Sequence, residues 1–143
     1  MRRVGRGVGR GALIGAVVGL LILGIGGRLV MSLIAWRAGI PVGYTVGGTL
    51  EVMITGVLFG LGGGLIYGIL AAVWRLYRPA FGAAFGAVYF TGLALYPPAA
   101  ARTAALGVPQ QRVLVLLTFG ALFVVYGASM AALMRRARDT IRR

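Results

Sequence analysis

The sequence predicts an all-α, polytopic integral membrane protein, with four transmembrane helices in a glycine-rich, up-down bundle that forms one domain, residues 1–143. Three observations predict this class. Hydrophobic residues make up 59% of the chain and charged residues only 12%, against roughly 25% charged in a soluble domain. Four apolar runs are each long enough to cross a bilayer, which needs roughly 20 residues of helix. Most of the 15 basic residues, all of them arginine, lie in clusters that flank these runs.

Each predicted element follows from a local pattern. The predicted spans are approximately residues 11–36, 47–74, 80–96 and 113–134, with basic cytoplasmic tails at 1–10 and 135–143. Pro41 and Gly43 mark a short connection between the first two spans. Pro79 stands in the first turn of the third span, where the missing N–H removes no helical hydrogen bond. A pair of prolines, Pro97 and Pro98, ends that span.

The distribution of arginine predicts the orientation. Three clusters would share one side of the membrane: Arg2, Arg3, Arg6 and Arg10; Arg75 and Arg78; Arg135, Arg136, Arg138, Arg142 and Arg143. The other side would hold Arg37, Arg102 and Arg112. Because basic loops are retained in the cytoplasm, both termini are predicted to be cytoplasmic. A net charge of +13 would suggest nucleic-acid binding in a soluble protein. Here it is explained by topology, and no nucleic-acid partner is expected.

The residue types that are missing exclude several kinds of site. The chain has no cysteine and no histidine, so these side chains cannot ligate haem, chlorophyll or a metal ion. Its only acidic residues are Glu51 and Asp139, which leaves no plausible carboxylate pair for catalysis. We therefore expect neither enzymatic activity nor a cofactor, whereas a bound lipid stays open.

Glycine recurs at every fourth position in three of the spans. The predicted helix-packing residues are Gly11, Gly15 and Gly19, then Gly56, Gly60, Gly64 and Gly68, then Gly82 and Gly86. Residues four apart share one helical face, and small residues let helices approach closely in lipid. The favoured interpretation is packing within the bundle. The alternative is that one groove binds another subunit, either a second copy or a different protein.

Arg28 and Glu51 are the charges predicted to lie inside the spans. At ~1.5 Å per residue, Arg28 lies roughly 27 Å from Arg10 and Glu51 roughly 36 Å from Arg75, so both charges fall in the outer part of the bilayer. Ionisable groups there are costly and usually face a partner or a cavity. The sequence predicts an intramembrane ion pair. It either fastens the first two helices together, which is the favoured interpretation, or lines a path for ions.

The first two spans exceed the length that a bilayer requires. The surplus includes residues 29–36, which are apolar on every side of a helix. Strong tilt of the helices could absorb part of the surplus. Otherwise the segment would expose an apolar surface outside the membrane, and a covering partner is expected.

A faint internal repeat relates the two halves of the chain. Gly11-Ala12-Leu13-Ile14-Gly15 recurs as Gly82-Ala83-Ala84-Phe85-Gly86, and Tyr67-Gly68 recurs as Tyr126-Gly127. Duplication of a helical hairpin would produce this pattern, as in some transporters. Chance recurrence in a chain rich in glycine and alanine is the favoured explanation.

Two segments resemble a group of known sequences. Gly27-Arg28-Leu29-Val30-Met31, together with Gly47-Gly48-Thr49-Leu50, is similar to small uncharacterised four-span membrane proteins of GC-rich bacteria. The resemblance implies a bacterial inner-membrane location and supplies no activity. The predicted function is a non-enzymatic integral membrane subunit that packs through glycine grooves into a larger membrane protein complex or a homo-oligomer. The alternative is a small ion channel or transporter that uses the pair Arg28 and Glu51.

Overall fold

The computed structural model describes residues 2–39, 41, 43–74, 78–96 and 109–141, and all regular structure in these segments is helical. The predicted all-α class is therefore confirmed for this part of the chain. Predictions that concern Arg75, Arg102, Arg142 and Arg143 lie outside the described residues.

The helices are α1 (Arg2–Val18), a π-helical segment (Gly19–Gly26), α2 (Gly27–Arg37), α3 (Val46–Trp74), α4 (Pro79–Ala94) and α5 (Pro109–Ile141). The first three form one continuous helix, because the backbone stays in the right-handed helical region at Val18, Gly26 and Gly27. Helix extends at both ends into the segments predicted as basic tails.

Three stretches are long and apolar enough to cross a membrane: Val8–Arg37, Val46–Trp74 and Arg112–Thr140. The protein therefore has the composition and helix lengths of a membrane protein. Helix α4 has 16 residues and spans ~24 Å at 1.5 Å per residue, less than the ~30 Å hydrocarbon core. The prediction of four membrane-crossing helices is thus confirmed only in part, because three described helices are long enough and the fourth, α4, is shorter.

Local chemistry explains where the helices begin and end. Pro79 is the first residue of α4 and follows an extended Arg78, as the sequence predicts. Gly39, just beyond α2, adopts φ of 69°, a left-handed conformation that glycine enters without steric cost. The hydroxyl of Thr45 accepts the N–H of Gly48 at 3.2 Å, which caps the first turn of α3.

The bundle consists of two tightly packed antiparallel pairs, α1 with α3 and α4 with α5. A Cβ added to Gly11 would lie 2.5 Å from the carbonyl oxygen of Gly64 and 3.0 Å from the Cα of Gly68. In the second pair, a Cβ on Gly82 would overlap the backbone of Gly127. Only glycine permits such backbone contact. All the predicted helix-packing residues lie at these contacts: Gly11, Gly15, Gly19, Gly56, Gly60, Gly64, Gly68, Gly82 and Gly86.

The glycine series of α1 and α3 face each other. Gly15 meets the backbone of Gly60 and Gly64, and Gly19 meets that of Gly56 and Gly60. A single interhelical contact therefore occupies both grooves. In the described structure both grooves thus serve packing within the bundle, as the favoured interpretation expects.

The recurring sequence segments occupy equivalent positions in the two pairs. Gly11 of α1 lies against Gly68, which follows Tyr67, and Gly82 of α4 lies against Gly127, which follows Tyr126. Both tyrosines are buried. The repeat therefore corresponds to the same packing arrangement used twice.

The hydrophobic core lies in one half of the bundle, which we call the tight end. Its largest fully buried side chains are Tyr67, Tyr126 and Met130. Rings of α3, α4 and α5 form a continuous aromatic cluster, from Tyr67–Phe85 at 5.3 Å between centroids to Phe123–Tyr126 at 6.4 Å. Offset and tilted aromatic contacts of this kind stabilise the junction between the two helix pairs.

The other half of the bundle, which we call the open end, is loosely packed. It comprises residues 28–39, 41, 43–55 and 112–122, and none of these described residues is fully buried. The described arginines Arg10, Arg78 and Arg135 lie at the tight end, whereas Arg37 and Arg112 lie at the open end. The two ends therefore differ in both packing and charge.

Candidate functional site

The π-helical segment determines where the close contact between the first helix and α3 ends. The glycines of α1 that face α3 are spaced by four, up to Gly19, and the next one, Gly24, follows after five residues. The wider turn of a π-helix has i→i+5 hydrogen bonds, which keeps Gly24 facing α3. A Cβ on Gly24 would lie 3.3 Å from the Cα of Met53. Three residues later, Gly27 meets only side chains, those of Val52 and Phe119. The two backbones thus separate at this point.

A half-open cleft of about 350 Å³ lies where these helices separate. Leu23 and Met31 line it from the first helix, and Phe119, Leu122 and Phe123 line it from α5. The wall contributed by α3 is formed by Glu51, Val52, Thr55, Gly56 and Phe59. Among the described lining residues, the polar side chains are those of Glu51 and Thr55.

Two tyrosines hold the helix pairs together beneath this cleft. The hydroxyl of Tyr126 donates to the carbonyl oxygen of Gly60 at 2.7 Å, and that of Tyr89 donates to the carbonyl oxygen of Phe59 at 3.2 Å. Gly63 makes room for them, since a Cβ there would lie 2.9 Å from the Tyr126 hydroxyl. These hydrogen bonds to consecutive carbonyl groups of α3 connect it to α4 and α5 next to the cleft residues Phe59 and Phe123.

Arg28 is directed toward the connection between α2 and α3. Its Nη2 atom donates to the carbonyl oxygen of Gly43 at 3.0 Å, and its guanidinium carbon lies 5.2 Å from the centre of the Tyr44 ring. The Tyr44 hydroxyl donates to Ser32, whose own hydroxyl donates to the carbonyl oxygen of Arg28. This closed network holds the connection against α2, with a cation–π contact as part of it.

The structure does not bring together Arg28 and Glu51. Among the described residues no ion pair joins them, because the guanidinium is directed to Gly43 while Glu51 lines the cleft. Gly27, the residue before Arg28, faces Val52 and Phe119. A step of one residue turns a helical side chain by about 100°, and here it turns Arg28 away from the cleft. Arg28 does fasten the hairpin, but through the backbone of the connection.

Sequence reasoning missed the aromatic walls of the cleft. Glu51, Thr55 and Phe59 recur at four-residue spacing, as do Phe119 and Phe123, so each set shares one helical face. That spacing could have indicated two faces with shared side chains. The spacing alone does not reveal that the two faces oppose each other, because α3 and α5 are distant in sequence.

Comparisons with known proteins add no identification. The chain matches no protein-family model, and no curated protein or solved structure shows significant similarity to it. The arguments about function therefore rest on the residues of this chain.

Proposed function

We propose that this protein is a non-enzymatic integral membrane subunit that associates with other membrane protein subunits, or with itself, through its open end. The observation that carries the proposal is the exposure of apolar side chains there. Leu29 is 63% exposed, Trp36 70% and Val46 88%. The proposed contact surface comprises α2 and the first two turns of α3.

Helix length supports a role for this surface outside the hydrocarbon core. Arg28 lies ~27 Å from Arg10 along the helix, and α2 continues for about 14 Å beyond Arg28. With Arg10 at one membrane face, most of α2 lies at or beyond the other face. A contiguous apolar surface exposed to water is typical of a protein interaction site.

The proposed interface does not use the glycine grooves of α1 and α3, because these two grooves pack against each other. The proposal also assigns no ion path to Arg28 and Glu51, since these residues form no pair in the described structure. The described open end offers one carboxylate, a few hydroxyl groups and the guanidinium groups of Arg28, Arg37 and Arg112, of which that of Arg28 donates to Gly43. This set lacks the nucleophile–base arrangement that covalent catalysis needs, which favours a binding role.

The orientation proposed is N-in and C-in, in a bacterial inner membrane. It follows from the positive-inside rule, because the tight end holds Arg10, Arg78, Arg135, Arg136 and Arg138 among the described residues. Arginines at that end would contact the anionic headgroups of the cytoplasmic leaflet.

Single-cysteine variants test the orientation, since the natural chain has no cysteine. Gly9 and Gly43 both have open space where a Cβ would be added, so cysteine fits at either position. We expect a membrane-impermeant maleimide to label Gly43→Cys on intact cells, and Gly9→Cys only after permeabilisation. The reverse pattern would overturn the orientation.

Mild purification tests the assembly. The tagged full chain, expressed from its own locus and extracted in a gentle detergent, should migrate with a stoichiometric partner or as a defined oligomer. Leu33→Ala and Trp36→Ala should weaken that complex. Leu13→Ala is the matched control, because Leu13 is 68% exposed but lies on α1 near the tight end. A monomer in both detergent and lipid nanodiscs, or equal effects of all three substitutions, would contradict the proposal.

A further inference from the structure

The cleft at the open end contains an acidic group, Glu51. Glu51 is exposed there, and Arg28, its expected partner, is hydrogen-bonded to Gly43 instead. It is one of only two acidic residues in a chain of net charge +13. The other, Asp139, lies at the opposite end on α5. A carboxylate in or near hydrocarbon is costly and usually faces a partner or a substrate.

The remaining walls of the cleft are apolar and aromatic. Phe59, Phe119 and Phe123 line it, and Thr55 supplies a hydroxyl between Glu51 and Phe59. Along α3, Glu51 lies about 12 Å from Phe59. Phe59 thus lies toward the end of the cleft opposite Glu51, whereas Phe119 lies near Val52, the residue next to Glu51, since both face Gly27. Ligand sites commonly have this composition, in which apolar walls provide burial and a few polar groups fix orientation.

We propose that this cleft binds a small organic monocation with apolar substituents, such as a quaternary ammonium or phosphonium compound. Glu51 would neutralise the charge, and the three phenylalanines would contact the apolar groups and attract the cation through their ring faces. The volume of about 350 Å³ falls within the range of roughly 300–1,000 Å³ for small-molecule sites.

The lining does not suit other classes of ligand. A divalent inorganic ion takes six or more oxygen ligands. Among the described side chains that line the cleft, only Glu51 and Thr55 carry oxygen atoms. An anion would be repelled by Glu51, because Arg28 is turned away to Gly43. A neutral apolar molecule would leave the carboxylate unpaired. This site does not depend on the assembly proposed above, because the described walls all come from one chain.

The test uses the full-length protein in nanodiscs of phosphatidylcholine, titrated with tetraphenylphosphonium and followed by calorimetry or equilibrium dialysis. Empty nanodiscs give the background partitioning. We expect saturable binding at one site per chain, weakened about tenfold or more by Glu51→Gln. Asp139→Asn is the matched control and should bind as the natural protein does. Tetraphenylborate, which has nearly the same shape and the opposite charge, is titrated separately and should bind no more than it does to empty nanodiscs.

Glu51→Asp separates loss of charge from loss of fold, because it keeps the carboxylate and should retain most of the affinity. Helical content and the elution volume of each variant show whether it is folded. Binding that is equal in the natural protein and in folded Glu51→Gln would overturn the proposal. So would saturable binding of tetraphenylborate titrated alone, or uptake of tetraphenylphosphonium no greater than that of empty nanodiscs.

Discussion

The contact between α1 and α3 yields a quantitative prediction at Gly60. A Cβ on Gly60 would lie 2.6 Å from the Cα of Gly19, about 0.8 Å inside the 3.4 Å at which ordinary contacts begin, and it would also overlap the carbonyl oxygen of Gly15. Both neighbours are backbone atoms, so no side chain can rotate away. In Gly60→Ala the two helices must therefore move apart.

The size of the effect follows from that displacement. A gap of about 0.5–1 Å removes a quarter to a half of the dispersion energy at a contact, and overpacking typically costs about 1–3 kcal/mol. Alanine is favoured over glycine within a helix by roughly 0.5–1 kcal/mol, which offsets part of the cost. We expect Gly60→Ala to lower the free energy of unfolding by about 1–2 kcal/mol.

Gly92→Ala is the matched control, because Gly92 lies in α4 with nothing within 4 Å of an added Cβ. It should raise the stability by roughly 0.5–1 kcal/mol through helix propensity alone. The assay is unfolding of the full chain in mixed micelles by increasing dodecyl sulfate, followed by circular dichroism. If Gly60→Ala were as stable as Gly92→Ala, the inference that α1 and α3 touch through their backbones would be wrong.

Two further predictions concern hydrogen bonds. Tyr126→Phe should lower the unfolding free energy by about 1 kcal/mol, because it leaves the buried carbonyl group of Gly60 without its 2.7 Å bond. Tyr89→Phe should cost less, since its bond is longer at 3.2 Å and its side chain only partly buried; equal losses would contradict this ranking. Arg28→Gln should accelerate amide hydrogen exchange in the connection around Gly43, with no change at the tight end. Arg28→Lys should not restore the protection, because an ammonium group cannot reproduce the planar contact of the guanidinium group. Unchanged exchange in both Arg28 variants would show that this arginine does not hold the connection.

Much of the architecture could be predicted from the sequence. The helical class, the position of Pro79 at the start of α4 and the connection after α2 follow from local patterns that the structure reproduces. These features depend on interactions within a few residues, which a linear sequence displays directly. The glycine spacing likewise indicated which faces of the helices would pack.

The partners of those faces could not be predicted in the same way. The pair Arg28 and Glu51 was expected because both charges lie at a similar depth. Depth fixes only the position along a helix, and the direction of each side chain around the helix decides contact. The π-helical segment between Gly19 and Gly26 changes the direction in which the following side chains point around the helix. The hydrophobic periodicity of the sequence did not reveal this segment.

The sequence by itself determined that this chain has the composition of a membrane protein, with helices long enough to cross a bilayer and an uneven distribution of arginine. These properties are sums over residues, so they do not depend on how the helices pack. Only the tertiary structure decided that the two glycine grooves pack against each other, that Arg28 binds the connection between α2 and α3, and that Glu51 lines an aromatic cleft. Each of these requires knowing which helix faces which, and in lipid that choice depends on close shape complementarity between helix surfaces.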